Sequence, residues 1–330
     1  MEEQRRAFTP SGRGLADPAL NLAIVPGRTM EPAEFCRLVG PAIGLDGVVS
    51  GPPFRHRGGR GVRGPKASFD HHESVDRTST RACCEQVHLE VGRGLWRLMR
   101  RDGRPGADVY VNDADEDVCT SMWVLAHPRR LNEPIVRQLV HSEGIIDALA
   151  CTWWPEWLDL EDGLPRLAWV YGPCHDARRN AALVDAESLR RLIEEVAERI
   201  TAYVDGRGGR RPVDDSYEVV HRDGPVAVIR EIGPFARGAA CRDGFEVVIS
   251  ERWAGEVRVV SITKPSSWSP CDLTEVYRAL NQAEGCPPDD EWGGSDLVGG
   301  SPRRGGTRLS SEEILATVVR CLATAGATAG

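Results

Sequence analysis

The chain has 330 residues, 41% of them hydrophobic and 27% charged, and its 41 basic and 49 acidic side chains give a net charge of −8. This length exceeds the usual size of one domain and predicts two. The negative charge argues against a protein that binds long duplex nucleic acid, because such proteins replace counterions with lysine and arginine. No run of about 18 apolar residues is present, so no membrane-spanning helix and no membrane partner are expected.

The N-terminal residues 1–18 are polar, contain proline and glycine, and lack the apolar core of a signal peptide. They predict a flexible arm. The ten cysteines form no CxxC pair. Without a secretion signal, this usage predicts reduced thiols and a cytoplasmic protein, and it does not favour a zinc site with cysteine ligands.

Strand and helix patterns alternate through the first two thirds of the chain. In order, they predict a strand (20–27), a helix (32–43), a basic glycine-rich loop (51–68), a brief strand at KASFDHH (66–72), a helix (81–101), a strand and an acidic turn (107–117), an apolar helix that follows, and helices over 133–150 and 186–206. Repeated strand–helix units favour an α/β domain over residues 19–206, with a largely parallel sheet and flanking helices.

A polar stretch with glycine and proline, 207–215, predicts a linker. Beyond it, residues 216–330 alternate strand patterns with the helix LTEVYRALNQA (273–283) and end in a helix that Ser310 or Ser311 caps. Between these two helices lies the glycine-rich segment WGGSDLVGGSPRRGG (292–306). This part of the chain predicts a smaller C-terminal α+β domain that binds substrate.

Two polar clusters follow predicted strands. In VNDADEDVC (111–119), Asp113, Asp115 and Asp117 alternate, so on an extended segment they project from one side. Such carboxylates repel one another unless a cation neutralises them. The alternative is a solvated acidic turn at the start of a helix beginning near Val118, where the helix dipole favours anions.

The other cluster, Asp70, His71 and His72, combines oxygen and nitrogen donors, which suits Mn²⁺, Fe²⁺ or Zn²⁺ better than Ca²⁺. In parallel sheets, ligands bind beyond the carboxyl ends of strands, so the two clusters are expected to meet there. Two metal ions need about six protein ligands. The predicted ligands are Asp70, His71, Asp113, Asp115 and Asp147, with Asp117 and Glu143 in reserve. His72 is predicted to be catalytic, as a general acid or by stabilising charge on phosphoryl oxygens.

The motif FDHH (69–72) resembles the signature of the DHH phosphoesterase superfamily. That superfamily includes single-strand exonucleases, nanoRNA and cyclic-dinucleotide phosphodiesterases, and inorganic pyrophosphatases. VYVNDADEDVCTSMWVLA (109–126) is similar to the Asp-x-Asp motif of the family, and EGIIDALA (143–150) to a later acidic motif. The C-terminal part resembles the domain that often accompanies DHH catalytic domains, with the glycine-rich segment in place of a Gly-Gly-Gly-His loop that contacts substrate. The resemblance implies manganese-dependent hydrolysis of a phosphoester or phosphoanhydride.

The sequence departs from the family pattern in three ways. The Asp-x-Asp motif follows DHH instead of preceding it, Val109 stands where a histidine is expected, and Ser301 begins a stretch that lacks the histidine of the glycine-rich loop.

Arginines and glycines supply candidate contacts to phosphate. Guanidinium groups and free backbone N–H groups bind phosphate, and glycine lets the backbone approach a ligand closely. The predicted substrate-binding residues are Arg77, Arg81, Gly299, Gly300, Ser301, Arg303 and Arg304. The alternative for each arginine is surface charge that balances the acidic side chains.

The sequence therefore predicts a two-domain metal-dependent phosphoesterase that uses Mn²⁺, with Mg²⁺ or another divalent metal as alternatives. Its substrate is a small phosphorylated molecule, such as a nucleotide or short oligonucleotide, in a cleft between the domains. A homo-oligomer is compatible with this prediction. The departures leave two other hypotheses open: a non-catalytic relative that binds a nucleotide as a sensor or assembly partner, and a metal-dependent hydrolase of non-phosphate bonds.

Overall fold

The computed structural model describes residues 5–8, 18–59, 61–158, 162–179, 185–288, 290–302 and 304–328. Its internal contacts divide the chain into two compact units. Unit 1 comprises Met1–Ala148, Glu156–Arg178 and Ala182–Arg211, and unit 2 comprises Leu149–Pro155, Arg179–Ala181 and Pro212–Gly330. Each unit has its own sheet with packed helices, and the prediction of an α/β fold with a further α+β part is confirmed.

The elements of unit 1 alternate between strands and helices. Its strands are β1 (Arg5–Phe8), β2 (Ala19–Ile24), β3 (Ala42–Leu45), β4 (Phe54–His56), β5 (Lys66–Phe69), β6 (Arg100–Arg101) and β7 (Arg104–Val111). Its helices are α1 (Pro32–Arg37), α2 (Cys83–Gly92), α3 (Leu95–Leu98), α4 (Glu116–Ala126), α5 (Pro134–Ala148), α6 (Gly163–Val170), α7 (Gly172–Arg179) and α8 (Ala186–Val204).

The sheet of unit 1 has the strand order β1-β2-β7-β3-β5-β4, and β6 pairs with β7. The four central strands β2, β7, β3 and β5 are parallel, whereas β1 and β4 pair antiparallel at the two edges. The largely parallel sheet agrees with the prediction. It also brings the carboxyl ends of β3, β5 and β7 to the same edge.

The central strands β3 and β5 are buried along their whole length. All four residues of β3, AIGL, and all four of β5, KASF, are buried, as expected for strands covered on both faces. Lys66 is the charged exception. Its ammonium group donates hydrogen bonds to the carbonyl oxygens of Gly40, Arg63 and Gly64, which replace the water it loses.

Three local predictions need correction. The helix predicted over 32–43 ends at Arg37, and residues Ala42–Leu45 form β3, because Pro41 cannot donate to a helix ladder. The helix predicted over 81–101 is interrupted at Gly94, whose φ of 103° lies in the left-handed region. Part of the predicted N-terminal arm, Arg5–Phe8, is a strand paired with β2.

Unit 2 is built on a mostly antiparallel sheet of order β12-β13-β11-β10-β9-β8. Its strands are β8 (Tyr217–Asp223), β9 (Val226–Glu231), β10 (Val247–Ala254), β11 (Val257–Thr263), β12 (Gly293–Gly294) and β13 (Val298–Gly300). Its helices are α9 (Ala236–Arg242), α10 (Leu273–Glu284) and α11 (Ser311–Thr328). Helices α10 and α11 share one core with the sheet, and α9 packs in a second core. None of the described helices in either unit has the length and apolar character needed to cross a bilayer.

Candidate metal centre

Polar side chains meet at the shared carboxyl edge of the unit 1 sheet. Asp46 follows β3, while Asp70, His71 and His72 follow β5. The backbone N–H of Asp46 donates to the carbonyl oxygen of Phe69 at 2.9 Å, which fixes the two strand ends side by side. The ends of β3 and β5 therefore meet at this edge, whereas the sequence predicts a meeting of residues 70–72 with the segment 111–119, and Asp46 was not among the predicted ligands.

His71 lies at the middle of this cluster and is fully buried. Its Nε2 atom is 2.7 Å from Oδ2 of Asp147, at the end of α5, and 3.7 Å from Oδ1 of Asp46. Two groups have potential ligand atoms all within 4.8 Å of one another: Asp46 with His71 and His72, and His71 with Asp117 and Asp147. His71 belongs to both groups, so together they form one centre.

Several potential metal-ligand atoms of this centre lack a hydrogen-bond partner among the described residues. They are Asp46 Oδ1, His71 Nε2 and Asp147 Oδ2, all buried. The short contact between His71 and Asp147 is close enough for a charge interaction but is not aligned as a hydrogen bond. Burying unpartnered polar atoms is costly, and imidazole with carboxylate is a donor set that divalent transition metals accept. The residues present therefore fit a divalent cation.

The electrostatics keep the two carboxylates ionised. Burial alone would raise the pKa of Asp147, but His71 and Arg77 outweigh it and hold that pKa well below its usual value. The same competition between burial and the neighbouring His72 and His71 leaves the pKa of Asp46 lowered. Conversely, burial lowers the pKa of His71, but Asp147 raises it above the usual value on balance. Both carboxylates are therefore ionised, each beside cationic side chains of the same centre.

Asp117, in the first turn of α4, links the centre to helix α2. Its two oxygens accept hydrogen bonds from the backbone N–H groups of Cys83 at 2.7 Å and Cys84 at 2.6 Å, at the start of α2. These N–H groups have no partner within the helix, so Asp117 satisfies them and fixes α2 against α4. Burial, together with Asp147 and Asp46, raises the pKa of Asp117 to about 7.

Asp70 orients the loop that carries the histidines. Its Oδ1 atom accepts hydrogen bonds from the backbone N–H groups of His71 and His72 and lies 2.9 Å from Nδ1 of His72. The side chain of His72 is 43% exposed, in contrast to buried His71. Burial would lower the pKa of His72, but Asp46 and Asp70 raise it to about 11. His72 is therefore an accessible, protonated imidazole beside the centre.

The structure does not bring Asp113 and Asp115 into either group of potential ligands. Asp113 is exposed, and its side chain accepts a hydrogen bond from the backbone N–H of Ala114. Asp115 caps α4, because its Oδ1 accepts from the N–H of Val118 at 2.8 Å. The segment is not extended through Asp117, since the helix begins at Glu116, so the three carboxylates do not project from one side. For Asp115 the alternative of a helix-capping acid describes the observed contact.

The two arginines that follow DHH have different surroundings. Arg77 is 3% exposed and donates to the carbonyl oxygens of Asp147 and Ala148 and, at 3.4 Å, to Oδ1 of Asp147. It therefore holds the end of α5 and orients Asp147. The Arg81 side chain is 58% exposed and lies 3.4 Å from Glu85. Contact of either arginine with phosphate stays a prediction.

The predicted substrate-binding residues of unit 2 lie in and after β13. A Cβ atom on Gly299 would stand 2.3 Å from the hydroxyl oxygen of Tyr277, and one on Gly300 would stand 3.0 Å from the carbonyl oxygen of Val260. Close packing inside unit 2 therefore accounts for both glycines. The hydroxyl oxygen of buried Ser301 accepts from the N–H of Val260.

The arginines of the same segment add little more. Arg304 is exposed, and its backbone N–H donates to Asp290. Arg303 lies outside the described residues. Binding of substrate by this segment stays a prediction.

Sequence reasoning missed Asp46 and kept Asp117 only in reserve. The available signal for Asp46 was the buried strand AIGL followed by Asp-Gly, at the same sheet edge as DHH. Asp46 has a φ of 49°, a left-handed conformation that is costly for a residue other than glycine and that recurs at functional sites. Glu143, the other reserve candidate, is 4% exposed, and burial with the nearby acids Glu116 and Asp147 raises its pKa well above the usual value.

Comparison with known proteins gives weak likeness only. No family model and no curated protein matches the chain. Among solved structures, the chain is similar to a pGpG-specific phosphodiesterase, PggH from Vibrio cholerae, with 14% identity over 59% of this chain and 75% of that chain. The TM-score is 0.26. A score of this size establishes neither a shared fold nor a shared activity.

Proposed function

We propose that the chain is a metal-dependent phosphoesterase that hydrolyses a small phosphorylated substrate, such as a nucleotide or short oligonucleotide, with Mn²⁺ as its metal. One observation carries the metal part of this proposal. Buried donor atoms of Asp46, His71 and Asp147 lie together without hydrogen-bond partners among the described residues. A cation would satisfy atoms that are otherwise costly to bury.

The residues that would hold the metal are Asp46, His71, Asp117 and Asp147. A divalent cation bound there supplies a Lewis acid and makes water a stronger nucleophile at neutral pH. Mixed carboxylate and imidazole ligands suit Mn²⁺. Arg77 is a positioning residue, because its hydrogen bonds to the end of α5 fix the carboxylate of Asp147.

His72 is the residue best placed to act on substrate. Its ring is accessible and protonated, and Asp70 fixes its orientation through Nδ1. Nε2 of the same ring is then the atom to hydrogen-bond a phosphoryl oxygen or to give a proton to the leaving group. A ring nitrogen so placed can donate a hydrogen bond to an anionic oxygen, and a phosphoester supplies such an oxygen.

The phosphoester class is further supported by the sequence motifs. FDHH, the Asp-x-Asp segment and EGIIDALA resemble motifs of the DHH phosphoesterases. All three segments contribute a residue to the centre. FDHH contributes His71, EGIIDALA contributes Asp147, and the Asp-x-Asp segment contributes Asp117. Asp46 comes from a segment to which no motif was assigned.

The test is to measure bound metal in the purified full chain and its hydrolysis of bis(p-nitrophenyl) phosphate with and without Mn²⁺. We expect Mn²⁺ to be retained and to stimulate hydrolysis. His71→Ala should lose both metal and turnover, while His141→Ala, which changes an exposed histidine of the same unit, should keep both. A chain that binds no divalent metal, or a His71→Ala variant with unchanged turnover, would contradict the proposal.

The same preparation separates the two other hypotheses. Val109 stands where the family has a histidine. It is fully buried within β7 and supplies no metal ligand, and this favours the hypothesis of a non-catalytic relative. Nucleotide binding that raises the melting temperature, without turnover under any divalent metal, would support that relative. Turnover of an ester or amide panel but not of phosphoesters would support a hydrolase of another class.

A further inference from the structure

Unit 1 contains a surface pocket of about 530 Å³ beside the edge strand β4. It lies among β4, the loop before α2, and one face of α2, and its lining includes Arg55, Arg81, Arg93, Gln86 and Leu89. Its volume is in the range of small-molecule sites. None of Asp46, His71, His72, Asp117 or Asp147 lines it, so it is distinct from the metal centre.

The pocket is rich in positive charge although the chain is negative overall. Three arginines line it against one acid, Glu90. Arg93 and Arg81 have side chains that are 78% and 58% exposed, and their ion pairs with Glu90 and Glu85 are long, at 3.6 and 3.4 Å. Exposed pairs of this kind are weak, so an anionic ligand can replace them. Guanidinium groups bind phosphate oxygens through paired donors.

The lining also offers an apolar contact. Leu89 is 44% exposed, which gives the pocket an apolar surface next to its arginines. The side-chain nitrogen of Gln86 donates to the carbonyl oxygens of Asp70 at 2.7 Å and Arg81 at 2.8 Å, and this fixes the loop before α2 beside the pocket.

We propose that this pocket is a nucleotide-binding site separate from the metal centre. Arg81 and Arg93 bind the phosphate, and Leu89 packs against the base or sugar. A nucleoside monophosphate combines these two chemistries in one molecule. The inference does not depend on whether the metal centre is catalytic.

The first experiment is calorimetric titration of the full chain with three probes: AMP, inorganic phosphate and adenosine. We expect AMP to bind more tightly than either fragment. The double variant Arg81→Ala/Arg93→Ala should weaken AMP binding by at least about tenfold, or ~1.4 kcal/mol. Arg137→Ala, which removes an exposed arginine outside the pocket, should bind AMP as the unchanged chain does.

Two single variants decide where AMP sits. Leu89→Ala should weaken AMP and adenosine binding but leave phosphate binding unchanged. His71→Ala should leave AMP binding unchanged even when it removes the metal. AMP affinity that is insensitive to the double arginine variant, or that falls in His71→Ala, would overturn the proposal, as would no binding of AMP at millimolar concentration. In each case the metal and turnover measurements stand separately.

Discussion

The metal centre of unit 1 and the glycine-rich segment of unit 2 both look functional in the sequence, yet their polar groups are treated in opposite ways. At the metal centre, buried oxygens and nitrogens of Asp46, His71 and Asp147 are left without hydrogen-bond partners among the described residues. Around the glycine-rich segment, several N–H groups find acceptors within unit 2. A cluster of unpartnered buried polar atoms calls for an explanation such as an absent ligand, whereas satisfied groups are accounted for by the fold itself.

Two acids accept hydrogen bonds from groups in and next to the glycine-rich segment. Glu284, at the end of α10, accepts hydrogen bonds from the indole N–H of Trp292, the hydroxyl of Thr307 and the backbone N–H of Arg308. Asp290 accepts from the backbone N–H groups of Arg304 and Gly305. These particular N–H groups are therefore occupied within unit 2.

The largest effect is expected from a substitution of Asp46, the residue of the metal centre that the sequence did not predict. Asp46→Asn removes one of the carboxylate charges of the centre and should weaken Mn²⁺ binding by more than about 100-fold, beyond the 10–100-fold typical of outer-shell changes. Asp113→Asn is the matched control, because Asp113 is exposed and outside both ligand groups. Equilibrium dialysis against Mn²⁺ measures both variants. Equal losses in the two variants would show that Asp113 is a ligand after all.

A smaller effect is expected from the residue that orients a ligand. Arg77→Met keeps an unbranched apolar stem but removes the guanidinium hydrogen bonds to the end of α5, so Asp147 loses its support. We expect Mn²⁺ affinity to fall by about 10–100-fold. Arg81→Met, which changes an exposed arginine nearby, should leave Mn²⁺ affinity unchanged. If Arg77→Met also keeps full affinity, Arg77 does not position the centre.

In the glycine-rich segment, the expected effect is on stability and not on metal. Gly299→Ala places a methyl group 2.3 Å from the Tyr277 hydroxyl and 2.5 Å from the carbonyl oxygen of Gly293, so it should destabilise the fold by about 1–3 kcal/mol. Gly305→Ala is the control, since its Cβ would lie at an ordinary 3.5 Å from Asp290. Urea unfolding followed by circular dichroism measures the difference. Unchanged stability with reduced substrate affinity would restore the predicted substrate contact.

The smallest effect tests the role of Ser301 within the sheet. Ser301→Ala removes the hydroxyl that accepts from the buried N–H of Val260 and should cost about 1 kcal/mol. Mn²⁺ content and turnover should stay at the level of the unchanged chain. A selective rise in KM, without any loss of stability, would instead place Ser301 against substrate.

Much of unit 1 could be predicted from the sequence because its signals are local. The alternation of apolar strands and amphipathic helices indicated a parallel sheet, and the rule that polar residues cluster at carboxyl strand ends placed DHH correctly at that edge. The final helix was also readable: Ser310 and Glu313 exchange hydrogen bonds in a capping box at the start of α11.

The rest depended on geometry that sequence spacing does not determine. β3 has only four residues, and the apolar stretch before it was assigned to the preceding helix, so Asp46 was not recognised at a strand end. The alternation of Asp113, Asp115 and Asp117 assumed an extended backbone, whereas a helix begins at Glu116 and turns Asp117 inward. The two glycines of β13 owe their identity to Tyr277 and to strand β11, contacts between segments far apart in sequence.

Asp117, in the first turn of α4, belongs to the metal centre and also binds the first turn of α2. Its oxygens accept hydrogen bonds from the backbone N–H groups of Cys83 and Cys84. A change of charge at the metal centre therefore also changes how strongly Asp117 holds the start of α2. Deuterium uptake at these two amides should therefore slow when Mn²⁺ is bound. The exchange rate at the start of α2 then reports how much of the metal centre is occupied.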